Sequence, residues 1–423
     1  MAEIKIYNAN QIGGNYTVIS TNQTTIMIDY GQSLPGFTAM QEEFDWEKNT
    51  VDAVFFTHYH GDHIGRILEI PDYIPLYMGA TARQVMLNIH RALSQVDEYC
   101  EEHLKYIKVL EDKHRIHELM EGRPCQMIGD IQVIPYSVDH SAYDAYMFLV
   151  KASGEHILHT GDFREHGYRG SKMIDVINKL IFSKADGHID TLIIEGTMME
   201  RQGENVITEY KLQQKAKEWF INNKYVFLIC SSTNLDTLAS FHKAALNSGM
   251  YTYCYSNYLL KQLATFTNTA GQRSALYQFD KTYLVEFDKK LDNKYWKETK
   301  TQEKLMRENG FLCIIKPEEK YAAWIERFAD LQPLVIYSLW DGYLDSTKSA
   351  YKKEWAKFFE PYIKSGQFKQ LHTSGHATPD TIAKIIETVK PQKRIYPMHT
   401  AKAEEFRKLQ IQDEYKERMC NIE

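Results

Sequence analysis

One seven-residue run constrains this chain more than any other: Thr57-His58-Tyr59-His60-Gly61-Asp62-His63, set directly after the apolar segment VDAVFF. His58 and His60 are two apart, so an extended backbone aims both rings to one side, and Asp62 and His63 follow on the turn. Three imidazoles and a carboxylate in so short a run form a dense set of metal-ligand types. A polar surface loop is the alternative, and the length and placement of the run argue against it. Three more candidates close later segments: His140 ends QVIPYSVDH, Asp162 ends HILHTGD and His399 ends RIYPMH. Polar residues where strands leave an α/β core converge at the loop edge. Singly, each reads more readily as structural. Together they supply the ligand count for two divalent cations sharing a bridging oxygen, roughly 3.5–4 Å apart. His/Asp ligation suits Zn²⁺ best and Mn²⁺ second.

The surrounding pattern is that of an α/β chain. Tyr16–Ser20, Thr25–Asp29 and Val51–Thr57 read as strands, Thr81–Ala92 and the charged Gln95–Glu121 as helices, and Ile131–Val138, Tyr146–Val150, His156–Thr160 and Thr191–Glu195 as strands again. His103, His114 and His117 on the long charged stretch read as exposed rather than ligating. From about Asn205 helix and strand alternate: Tyr210–Asn222, Tyr225–Cys230, Leu235–Ser248, then strand Leu334–Ser338 and the Lys-rich helical Thr347–Ile363. Such alternation is followed by parallel pairing. The end returns to the first style, with helix Thr378–Val389 and strand Arg394–Pro397. Composition shifts near 200 and 368, so 1–200 and 368–423 are expected to form one domain, interrupted by a second at 201–367. A chain of 423 residues fits that division better than a single core.

Charge and cysteine usage narrow the function classes. Fifty basic against 56 acidic residues give a net charge of −6, so a nucleic-acid partner has to bind a local basic patch. The six cysteines are scattered and form no C-x-x-C pair, which excludes a Cys-ligated zinc finger and a dense disulfide framework. MAEIKIYNAN lacks a basic and then apolar leader, and no run approaches 18 apolar residues. A cytoplasmic protein with no membrane partner is expected, with homo-oligomerisation left open.

The ordered set H-x-H-x-D-H, isolated His, Asp and last His resembles the signature of the metallo-β-lactamase superfamily. The resemblance implies an αββα sandwich in which His58, His60 and His140 hold one metal, Asp62, His63 and His399 the other, and Asp162 bridges them. Asp190-Thr191-Leu192-Ile193-Ile194-Glu195-Gly196-Thr197, Leu371-His372-Thr373-Ser374-Gly375-His376-Ala377 and Pro397-Met398-His399-Thr400 look like the three motifs of the β-CASP nucleases, whose inserted α/β domain would be 201–367. His399, where the DNA-repair branch has Val, is similar to the RNA-processing branch. Ile336-Tyr337-Ser338-Leu339-Trp340-Asp341-Gly342-Tyr343 resembles the ribonuclease J-type enzymes.

The implied reaction is hydrolysis of RNA phosphodiesters by a hydroxide held between two metals, with Asp62, Glu195 and His376 as the catalytic set. His376, poised by Glu195, would protonate the leaving 3′-oxygen. Ser374 and Gly375 suit close approach to phosphate, and Ser232 and Asn234 fall in the family's phosphate-contacting region, where Thr237 stands in place of the usual Arg. Endo- and 5′-exonuclease modes both stay open. Arg164 is expected either at substrate phosphate or paired with Glu165 or Glu195. The stretch Lys289–Arg307, with Tyr295 and Trp296 among seven basic residues, reads as a groove for single-stranded RNA or as a solvated helix face. The rivals are a small-molecule hydrolase (thioester, lactone or lactam) on the same metals, a DNA nuclease, and a catalytically silent RNA-binding scaffold.

Overall fold

A computed structural model describes residues 1–34, 43–96, 98–201, 203–285 and 302–421. Most of the basic-aromatic stretch, including Tyr295 and Trp296, lies outside the described residues. The chain divides into two compact units, Met1–Val206 with Gly375–Glu423, and Ile207–Ser374.

The first unit holds two sheets. One runs in the order β1-β2-β3-β4-β5-β6, from β1 (Glu3–Tyr7), β2 (Tyr16–Ser20), β3 (Thr25–Ile28), β4 (Ala53–Phe55), β5 (Leu76–Gly79) and β6 (Ile116–Leu119). The other runs β17-β10-β9-β8-β7, from β7 (Gln132–Val138), β8 (Ala145–Ala152), β9 (Glu155–His159), β10 (Thr191–Glu195) and β17 (Arg394–Met398). Ile19, Ile26 and Phe55 of the first sheet share a buried core with Val133, Phe148 and Ile157 of the second. Each such side chain contributes about 1.5–3 kcal/mol of hydrophobic stabilisation.

Helices close both outer faces. Helix Pro379–Val389 starts where Thr378 caps the Thr381 N–H and Pro379 takes the first turn. Its Ile382, Ile385, Ile386 and Val389 recur at helical spacing and pack with Leu192 and Ile194 of β10. Helix Ala80–Leu93 covers the first sheet beside β5. The result is the αββα sandwich.

The long charged helix expected over Gln95–Glu121 is not continuous. A helix covers Cys100–Glu111, and Asp112 then accepts the His114 and Arg115 N–H groups in a turn that stops it. The chain resumes as edge strand β6, on which His117 stacks with Tyr77. Charged residues on an edge strand look helical to a periodicity argument because only one side of the strand is buried.

In the second unit every strand pairing is parallel. The order is β13-β12-β14-β11-β15-β16, from β11 (Tyr225–Cys230), β12 (Tyr251–Cys254), β13 (Thr282–Leu284), β14 (Phe311–Ile314), β15 (Leu334–Ser338) and β16 (Phe368–Gln370). Helices join the strands, and the buried runs YVFLIC and LVIYS form its central strands.

Candidate metal centre

Strand ends of the first unit deliver the site. His58 and His60 follow β4, and Asp62 and His63 sit on the single helical turn Gly61–Ile64. His140 follows β7, Asp162 follows β9, Glu195 ends β10 and His399 follows β17. His399 and Asp29 both have positive φ, at 52° and 62°, which is uncommon for residues other than glycine and marks backbone held in place by its surroundings.

The ligand atoms fall into groups within 4.8 Å of one another: His58 with His60 and His140, Asp62 with His63 and His399, and Asp162 with His58 and His63. Asp162 Oδ2 lies 3.1 Å from His63 Nε2 and 4.0 Å from the Nε2 atoms of His58, His140 and His399. His60 Nδ1 is 3.1 Å from His58 Nε2 and 3.3 Å from His140 Nε2. All seven residues expected as ligands therefore meet in one place, with the Asp162 carboxylate between the two triads.

Four of the five histidines are aimed by a partner behind them. His140 Nδ1 donates to the Gly375 carbonyl at 2.7 Å, which leaves Nε2 as an acceptor facing the cluster. His63 Nδ1 meets Asp29 Oδ2 at 2.8 Å, His58 Nδ1 meets the Thr57 hydroxyl at 3.0 Å, and His399 Nδ1 meets the Thr197 hydroxyl at 2.8 Å. Such outer partners fix ring orientation and tautomer. His399 Nε2 also receives the Gly13 N–H at 3.2 Å.

The donor set fits divalent cations. Among the described residues His63 Nε2 and Asp162 Oδ1 are buried without a hydrogen-bond partner, and lone pairs of imidazoles and carboxylates face one another at about the separation of ligands on one ion. The charges agree. Burial, reinforced by the neighbouring imidazoles, holds His58 and His140 well below the ordinary histidine range, and His60 is lowered to about 4, so these rings are neutral and ready to ligate. Burial would raise the two carboxylates, but the imidazoles around them hold Asp62 and Asp162 well below the usual range. His63 is the opposite case: burial works against its charge, and Asp162, Asp62 and Asp29 outweigh burial and raise it.

Beside the cluster stands a second pair. His376 Nδ1 is 3.2 Å from Glu195 Oε1 and 3.6 Å from Asp162 Oδ2. The fully buried Glu195 carboxylate also accepts the N–H groups of Phe163, Thr197 and Ala377. Burial disfavours the charged His376 ring, yet Glu195 and Asp162 raise it overall.

Other expected site residues are placed differently. Arg164 is placed against Asp139. It is fully buried, and its Nε donates to Asp139 Oδ1 at 2.9 Å, because a guanidinium that has lost water needs a carboxylate. Gly375 contributes its carbonyl to His140, and an added Cβ there would stand 2.5 Å from the Ser141 hydroxyl. Ser232, Asn234 and Ser374 belong to the second unit. Ser232 bonds the Tyr258 hydroxyl and Asn234 caps helix Leu235–Asn247. Thr237 donates to the buried Glu209.

Sequence reasoning passed over Asp29, which accepts the Thr57 N–H and hydroxyl as well as facing His63. The signal was present, since Asp29 closes an apolar strand just as Asp162 does. Thr197 lay inside a quoted motif without a role, and Asp139, beside His140, was not weighed at all.

Fold and cluster together define a class, an αββα sandwich that gathers metal-ligand side chains where its strands end. Residues 24–215 match the family described as Beta-lactamase superfamily domain. Similar curated proteins include Ribonuclease J of Helicobacter pylori (strain ATCC 700392 / 26695), 27% identical over 170 residues that cover 36% of this chain and 22% of the relative. Ribonuclease J of Mycoplasma genitalium is 25% identical over 199 residues, covering 44% and 32%. Endoribonuclease ysh-1 of Neurospora crassa is 23% identical over 181 residues, covering 38% and 20%. The chain thus spans about a fifth to a third of the length of these relatives. A crystal structure of a protein of unknown function from Enterococcus faecalis V583 has the same fold, with a TM-score of 0.68, 19% identity, and 96% of this chain and 95% of that one covered.

Proposed function

We propose that the chain is a metal-dependent ribonuclease that hydrolyses phosphodiester bonds of single-stranded RNA, with Ile207–Ser374 as its β-CASP domain. His58, His60 and His140 would hold one ion, Asp62, His63 and His399 a second, and Asp162 would bridge them, with Zn²⁺ favoured by the donor set over Mn²⁺. Bound there, the ions would supply Lewis acidity, lowering the pKa of water and offsetting charge on a phosphoryl oxygen.

The chain's own groups carry the rest. Asp29, Thr57, Thr197 and the Gly375 carbonyl orient the four rings they touch. His376, whose pKa Glu195 and Asp162 raise, is the proton donor for the leaving 3′-oxygen, and Glu195 is a positioning residue held by three backbone N–H groups. The six cysteines are unpaired, which fits a cytoplasmic enzyme.

The observation that carries the reading is the His376–Glu195 pair set against Asp162, since it adds a positioned acid to a cluster of ligand residues. The ribonuclease names of the relatives support RNA as the substrate. The test uses Zn²⁺- or Mn²⁺-loaded protein and labelled single-stranded RNA bearing a 5′-monophosphate or a 5′-hydroxyl. Cleavage is expected, abolished in Asp162→Ala and lowered at least about 100-fold in His376→Ala. Mononucleotide release that favours the monophosphate would assign a 5′-exonuclease, and internal cuts indifferent to the end an endonuclease. A loaded wild type that cuts neither RNA nor DNA yet opens a thioester or lactone overturns the proposal.

A further inference from the structure

A second group of ligand-type side chains lies at the opposite ends of the same strands. His156, near the start of β9, His188 and Asp190, just before β10, bring one donor atom each within 4.8 Å of one another. Because Thr191 pairs with Ile157, Asp190 lies beside His156 at the N-terminal edge of this parallel pair. Asp162 and Glu195 leave the C-terminal edge, roughly 16 Å away along five residues of strand. The two clusters share no residue.

Local sequence explains the convergence. In Asp186-Gly187-His188-Ile189-Asp190 the polar residues alternate, which turns them to one side of an extended chain. Asp186 and Gly187 both have positive φ, at 50° and 83°, so the chain folds back after the helical segment that ends at Lys184 and lays His188 over the strand edge. The His156 and His188 rings stand 5.0 Å apart, nearly edge to face. His188 Nε2 is 3.7 Å from Asp190 Oδ2, and His156 Nε2 is 3.5 Å from Asp186 Oδ2. Ligands on a tetrahedral zinc stand about 3.4 Å apart at ordinary bond lengths.

Two observations point to an ion rather than a surface ion pair. His156 is buried to 7% exposure and its Nδ1 has no hydrogen-bond partner among the described residues. Asp190 is pinned by the His156 N–H at 2.9 Å, as outer partners pin ligating carboxylates. Lys393 competes for Asp190 Oδ1 at 3.1 Å, but it also has Glu155 at 2.9 Å and so retains a partner if Asp190 turns to a cation.

We infer that His156, His188 and Asp190 form a divalent transition-metal site, separate from the cluster above, with Asp186 at its rim as a fourth donor. Two imidazoles and a carboxylate select zinc-class ions over Mg²⁺ or Ca²⁺. The site ties the turn at 186–188 to β9 and β10, and its role is structural.

The experiment strips the full chain with chelator, returns Zn²⁺ alone and counts bound zinc per chain by mass spectrometry after desalting. His188→Ala is expected to bind one ion fewer than wild type and to cleave RNA at the wild-type rate. In an Asp162→Ala, His58→Ala background, which disables the first cluster, one zinc is expected to remain and to be lost on adding His188→Ala. Equal zinc in wild type and His188→Ala overturns the site whether or not the chain is a nuclease. If His188→Ala fails to fold, zinc binding by the background chain decides the matter, and its absence overturns the site.

Discussion

Asp29 is where a single carboxylate carries the most of the proposed centre. It accepts two bonds from Thr57, which precedes His58, and faces Nδ1 of His63, so two of the rings proposed as ligands depend on it. Asp29→Asn replaces an acceptor oxygen with an amide donor and removes the charge opposite His63. Zinc affinity is expected to fall about 10–100-fold with the fold intact, as isothermal titration and circular dichroism would show. Arg164 makes the contrary case, a charged residue near the centre that serves the fold. Its removal in Arg164→Ala takes from the buried Asp139 carboxylate the nearer of the two arginines that act on it, and chemical denaturation should register a loss of about 3–5 kcal/mol. A variant of full stability but raised KM for RNA would return Arg164 to the substrate.

At the scale of elements, the strands of the second sheet were legible, its edges β7 and β17 included, while the buried β5, β12 and β14 were not. Thr191–Glu195, Tyr225–Cys230 and Leu334–Ser338 read as strands because apolar runs bounded by turn residues have few other uses. The seven ligand-type residues could be read because each stands in sequence where a strand stops, and strand ends converge. Asp29 satisfied the same rule and was missed because it lies before the motif that drew attention. Asp139 was not legible as a partner of Arg164, because sequence gives no sign of which carboxylate a buried guanidinium will find, and Asp139 is 25 positions away in the chain. The excess length of the helix expected over Gln95–Glu121 has a similar cause, since a turn set by the Asp112 side chain ends it after Glu111.

The joint between helices Ala80–Leu93 and Cys100–Glu111 offers a test at this same scale. His90 stacks on Tyr106 at 4.1 Å and its Nδ1 lies 3.0 Å from that of His103. Burial, and then His103, lower its pKa from 6.5 to about 4. The unfolded chain therefore takes up this proton first as pH falls. Stability from neutral His90 is whole above pH 6.5, drains between 6.5 and about 4, and changes no further below that. His90→Phe keeps an aromatic face for Tyr106 and cannot titrate. Its urea midpoint is expected to fall less than that of wild type between pH 7 and pH 5. Equal losses would mean that His90 does not carry this part of the acid sensitivity.

The molecule as a whole should separate the centre's contribution by unit, because every residue assigned to it belongs to one unit. Met1–Val206 supplies His58, His60, Asp62, His63, His140 and Asp162, and the returning segment Gly375–Glu423 supplies His376 and His399. Ions held there cross-link chain segments far apart in sequence, and they bind only where those segments are folded together. Each ion at 100 times its dissociation constant adds about 2.7 kcal/mol to that unit, and a unit of this size gains roughly 2–4 °C in Tm per kcal/mol. The second unit has a core of its own around Phe227, Phe311 and Tyr337, with none of these ligands. Calorimetry should therefore resolve a transition that EDTA lowers by about 5–10 °C or more and another that it leaves in place. Phe227→Ala identifies the second, since a cavity in that core costs about 3–5 kcal/mol and should move only the chelator-insensitive transition. A single transition shifted as one by EDTA and by Phe227→Ala would show that the units unfold together, and no shift with EDTA would mean that the centre holds no stabilising ion.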